Sequence, residues 1–146
     1  MFRKLLLLLL MGNILACSNT SKTPEVPGTD YPALPEATLQ LLQANADFID
    51  MTFYNYPIST NQSDMSSVRP SLTYWDPEPA RIPATCKPAG HIWFQSKGNN
   101  LAEADFYFSP DCYYYVFYEN GKPAYANPMN ARGVAFFERI LKPFMK

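Results

Sequence analysis

Charge, histidine and cysteine are scarce in this chain, and each scarcity removes a class of chemistry. Charged residues fill 17% of the 146 positions, and the 12 Lys and Arg form no cluster or stripe. Nucleic acid is therefore not expected as a partner, because phosphate binding needs clustered basic side chains. His91 is the single histidine, which rules out HExxH, and no Ser-His-Asp order, Gly-rich phosphate loop or internal repeat occurs. No cofactor, resident metal or enzymatic activity is expected on these grounds. The apolar run at residues 5–11 is far shorter than the ~20 residues that span a bilayer.

What is present begins with an address. A basic head (Arg3, Lys4), that apolar run and small residues ahead of Cys17 have the layout of a secretory signal peptide over residues 1–16. The stretch Ile14-Leu15-Ala16-Cys17 resembles the lipobox of bacterial lipoproteins. This resemblance, confined to the leader, implies that Cys17 is diacylated and becomes the first mature residue. Two or three acyl chains, at about 0.8 kcal/mol per buried CH₂, would hold the protein on a membrane. Ser18, where enteric bacteria place Asp to retain lipoproteins, implies the outer membrane, with the domain facing the periplasm or the cell surface. Removing residues 1–16 takes two of the 12 basic residues and none of the 13 acids, giving a mature charge of 10 − 13 = −3.

Residues 17–35 are rich in Ser, Thr, Pro and Gly and read as the acylated Cys and a flexible tether. Residues 36–146 are expected to form one α+β domain, an antiparallel β-meander of three to five strands with an N-terminal and a C-terminal helix on one face. The spacing of Leu39, Leu42, Ala46, Ile49, Phe53 and Tyr56, widened by Leu41 and Phe48, predicts an amphipathic helix from residue 36 to the stop at Pro57. Residues 58–90 are broken by prolines, and only residues 71–75 have strand character. Residues 91–96 (HIWFQS) predict a strand. Residues 129–146 predict a helix capped by Asn130, with Met129 and Val134 placed as a hydrophobic staple.

Between them, residues 101–127 carry nine aromatic side chains and two turn signals, Pro110-Asp111 and Asn120-Gly121. The turns set a register in which Phe108 faces Tyr113, Phe106 faces Tyr115 and Ala104 faces Phe117, with Ala124 and Ala126 meeting Phe117 and Tyr115. Pro123 predicts that the last strand lies at an edge. One face, with Ala102, Ala104, Phe106, Phe108, Tyr113, Tyr115 and Phe117, suits a helix-covered core. The other carries Glu103, Asp105, Tyr107, Tyr114, Val116, Tyr118 and Tyr125, with nothing in the chain apolar enough to cover it. Those rings either pair across strands, at ~0.2–1 kcal/mol each, or form a binding platform.

Cys86 and Cys112 remain as a pair in an oxidising compartment, where a bridge is worth roughly 3–4 kcal/mol. A catalytic thiol at Cys112 with His91, or a zinc site from Cys86, His91 and Cys112, is the alternative. Glu103 and Asp105, two apart on a strand, share a face as paired carboxylates or as a polar surface. The function expected is a membrane-anchored, non-enzymatic binding or accessory module that engages an envelope protein through the tyrosine face. The alternatives are a periplasmic inhibitor or immunity protein and a peptidoglycan- or glycan-binding module.

Overall fold

A computed structural model describes residues 27–144. The predicted signal peptide, Cys17 and the tether as far as residue 26 lie outside the described residues. The described chain is α+β, with three helices, a six-stranded antiparallel sheet and a separate two-stranded ribbon. In chain order the elements are β1 (Gly28–Tyr31), α1 (Glu36–Asn45), β2 (Phe48–Phe53), β3 (Ser59–Gln62), α2 (Met65–Ser71), β4 (Ala80–Pro83), β5 (Gly90–Ser96), β6 (Asn99–Ser109), β7 (Cys112–Glu119), β8 (Lys122–Pro128) and α3 (Ala131–Leu141). The main sheet runs β3-β2-β5-β6-β7-β8, and β1 pairs with β4. The sheet thus exceeds the three to five strands expected.

The extra strands come from segments whose own pattern was ambiguous. The helix predicted over residues 36–56 stops at Asn45, and Ala46 turns the chain to extended backbone. Ile49 and Phe53 satisfy a period of two, together with Met51, as well as the longer helical stripe, and pairing of β2 with both β3 and β5 selects the strand. Leu42 and Ala46 remain buried as predicted, whereas Leu41 is 45% exposed. In residues 58–90, the strand expected at 71–75 is absent. Ser71 ends α2, and Trp75 makes one bridge to Met129 while its ring packs edge-on against Phe94, Tyr115 and Phe117.

Residues 27–35 are a second correction. Gly28 to Tyr31 pair with Ala80 to Pro83, the Ala126 N–H donates to the Pro32 carbonyl, and Leu34 packs on the core. The domain therefore begins before residue 36. This leading segment is fastened by Asn127, whose buried side chain accepts from the Leu34 N–H at 2.9 Å and donates to the Asp76 and Glu78 carbonyls at 2.8 and 3.3 Å.

The meander follows its turn chemistry. Lys97-Gly98 and Asn120-Gly121 both adopt positive φ, as two-residue hairpin turns of matching twist require, and Asp111 does so at φ 63°. The β6–β7 register is the predicted one. All three helices supply residues to one core on the face of Phe94, Ala104, Phe106, Tyr115 and Phe117, where Phe106 and Phe137 stack at 4.5 Å. Fully burying such side chains contributes about 1.5–3 kcal/mol each. Asn130 caps α3 by accepting from the Arg132 and Gly133 N–H groups, and Met129 and Val134 pack in the same cluster.

Candidate functional site

The outer face of the sheet is divided into a covered half and an open half. The β1–β4 ribbon lies over the end of the sheet formed by β7 and β8, where Ala80, Ile82, Val116 and Ala126 form a second apolar cluster with Cys86 and Cys112. Tyr31, Tyr107 and Tyr114 pack against it. Tyr107 and Tyr114, predicted to belong to an open binding face, are therefore under cover. The Tyr107 phenol is correspondingly pushed up, first by burial, then by the charge of Asp105 and by Tyr31. Cys86 and Cys112 are bonded to each other, with S–S 2.00 Å and Cα–Cα 5.7 Å, so neither serves as a thiol nucleophile or a zinc ligand.

Tyr125 is a further correction. A bulge between Phe117 and Tyr118 shifts the third strand by one, so that Phe117 faces Tyr125 and Val116 faces Ala126. A shift of one residue exchanges the two faces. Tyr125 thus moves to the helix side, where its hydroxyl donates to Glu119 Oε1 at 3.0 Å, and Ala126 takes its place beneath the ribbon.

The open half brings together Glu103, Asp105 and Tyr118 from the predicted set with Tyr54, His91 and Trp93, around a shallow cavity of about 320 Å³. Alternation along β5 sends His91 and Trp93 to the outer face, opposite Asp105 and Glu103 on β6. Asp105 is the centre: 8% exposed, it accepts from His91 Nδ1 at 2.8 Å and the Tyr54 hydroxyl at 3.0 Å on Oδ1, and from the Tyr118 hydroxyl at 2.8 Å on Oδ2. Burial pushes its carboxyl upward, but hydrogen bonds from His91, Tyr118 and Tyr54 outweigh it and hold it below the ordinary value. The Tyr54 phenol is pushed up to about 12 by burial, by its bond to Asp105 and by nearby charge, and Tyr118 moves the same way for the same leading causes.

His91 Nε2 lies 3.7 Å from Glu103 Oε2, and the imidazole sits 4.4 Å from the Trp93 ring and 5.7 Å from Tyr118. Backbone approach makes this possible at Gly90, where any Cβ would collide with the Thr52 carbonyl and the Phe106 ring. The bond from Nδ1 to a buried carboxylate fixes the orientation of the ring and leaves Nε2 facing Glu103. Among the described residues lining the cavity there is no serine, cysteine or lysine nucleophile beside it.

Glu103 and Asp105 were legible as a same-face pair from their spacing. Tyr54, His91 and Trp93 were not, although the alternation in HIWFQS, once set against the β6 face, carries the signal. Among the described residues, no helix is long and apolar enough to cross a membrane. No protein-family model matches the chain, and neither does any curated protein or solved structure.

Proposed function

We propose that this protein is a bacterial envelope lipoprotein, acylated at Cys17 and carried to the outer membrane, that acts as a non-enzymatic binding module for a protein partner. The leader residues Arg3, Lys4 and Ile14 to Cys17 support the anchoring. The surface assigned to recognition is the open half of the sheet, now centred on Asp105, Glu103 and Tyr118 with His91, Trp93 and Tyr54.

One observation carries the binding reading: Asp105 is a buried carboxylate with three side-chain donors on a face that the ribbon leaves uncovered. Withdrawing a carboxylate from water costs several kcal/mol before its partners offset it, and apolar residues would stabilise a sheet more simply. Rings beside a fixed carboxylate give large contact area with directional acceptors.

A photoreactive phenylalanine analogue at position 54, which is 55% exposed, tests the reading in cells that express the protein. A discrete protein adduct is expected from position 54 and none from position 138 on α3. Equal crosslinking from both positions, or none from position 54, rejects it. Retention on purified peptidoglycan without any protein adduct would replace it with the glycan reading. Radiolabelled palmitate should be incorporated by the natural chain and not by Cys17→Ser.

A further inference from the structure

The cavity on the open half of the sheet is rich in acceptors. With Asp105 ionised, a carboxylate can only accept, so His91 Nδ1 must be the donor in their 2.8 Å contact. A neutral His91 then presents Nε2 as an acceptor, 3.7 Å from Glu103 Oε2, which is an acceptor as well. Tyr54 and Tyr118 both direct their hydroxyl protons to Asp105, so each phenol oxygen has only lone pairs left to offer a ligand. Asp50 stands on the same face, paired with Trp93 across β2 and β5, while Trp93 pairs on its other side with Glu103. Among the described residues lining the cavity none is lysine or arginine. The surface therefore combines negative charge, unfilled acceptors and a half-buried indole.

We propose that this face docks its protein partner through an arginine side chain, with the guanidinium over Trp93 and forked between His91 Nε2 and the Glu103 carboxylate. The inference rests on the protein-binding function proposed above and names the chemistry of the partner. Charge complementarity selects a cation, and the donor shortage selects one with several N–H groups and no acceptor, which describes guanidinium. The aromatic floor adds attraction to a planar cation stacked on it. A sugar's hydroxyls could donate to the same acceptors, but a sugar brings no positive charge to match Glu103 and Asp105.

The probe is acetyl-Gly-Arg-Gly-amide, titrated into the ¹⁵N-labelled full chain. The chain has two tryptophans, and Trp75 is buried in the core, so the two indole N–H signals separate site from core. Trp93→Phe assigns them. The Trp93 signal should move saturably and the Trp75 signal should not. The citrulline analogue, neutral and nearly isosteric, should bind at least about tenfold more weakly, since each tenfold is about 1.4 kcal/mol. Glu103→Gln should weaken binding about fivefold or more with unchanged thermal melting, and Glu138→Gln should change nothing. A silent Trp93 signal, an equal response to citrulline, or a response to chitotetraose in place of the arginine peptide overturns the inference. A protein adduct from position 54 with no arginine response overturns this inference alone. No adduct from this face rejects the proposed function and, with it, the arginine-bearing partner.

Discussion

Asp105 concentrates the energetics of the open face in one side chain. Hydrogen bonds to a charged group contribute about 1.5–3 kcal/mol each, and the desolvation of the carboxylate offsets much of that sum. Removing the charge leaves His91, Tyr54 and Tyr118 with a poorer acceptor, and Asp105→Asn is expected to cost about 1–3 kcal/mol near neutral pH. The sign of the pH dependence follows from the depressed carboxyl. Its contribution is complete above the ordinary value of 3.8 and is lost as the pH falls through the lower value of the folded state. Urea unfolding of both proteins should show a gap at neutral pH that closes in strong acid. A gap that persists unchanged in acid would contradict the assignment of Asp105 as the charged centre. The same substitution should lower the Tyr54 titration from about 12 toward its ordinary value of 10.0, as followed by ultraviolet difference absorbance.

At the scale of elements, the juncture of β2 and β5 holds the site in register. Gly90 lets the Thr52 carbonyl and the Phe106 ring approach where a side chain would stand. Gly90→Ala should therefore destabilise the fold by about 1–3 kcal/mol through overpacking. It should also displace His91, visible as a shift of its ring signals in the NMR spectrum, and an unperturbed spectrum would refute this role. The elements differ in how much of them could be read in advance. The β6–β7 hairpin is legible, because the Pro110-Asp111 turn, with Asp111 at positive φ, fixes its register. The face of Tyr125 is not, because the bulge at Phe117 and Tyr118 breaks a rule that assumes constant pairing. Residues 46–53 read as helix because Ile49 and Phe53 fit both periods, and only the long-range partner β5 decides between them. The ribbon is not legible because GTDY and ARIP are weak strands singly and meet across some fifty residues of chain. His91 reads beside the cysteines as a thiol or zinc partner, since Asp105 and Glu103 come opposite it only when β5 and β6 are aligned.

Across the whole molecule, one covalent link holds the covered half of the sheet together. Cys86 follows shortly after β4 and Cys112 opens β7, at a sequence separation of 26. On the chain-entropy model the bridge is worth about 3–4 kcal/mol. Reduction, or Cys86→Ser with Cys112→Ser, should lower the unfolding free energy by about that amount. It should also loosen the ribbon, so that hydrogen exchange speeds up in β1 and β4 before it does in β5 and β6. Uniform loosening of both regions would argue that the ribbon and the sheet unfold as one unit.

The path of residues 28–34 has an effect that belongs to neither binding nor packing. They leave the ribbon, pass the free side of β8 and end against the helix-covered core, with Pro32 accepting from Ala126 on the way. Pro123 removes a donor near the start of β8, and the Asp76 N–H occupies the Pro128 carbonyl at its end. The opposite boundary, β3, is a four-residue polar strand. Exposed, flat, apolar strand edges recruit further strands from neighbouring molecules. A sheet finished in this way at both margins resists edge-to-edge growth into fibres or open-ended stacks.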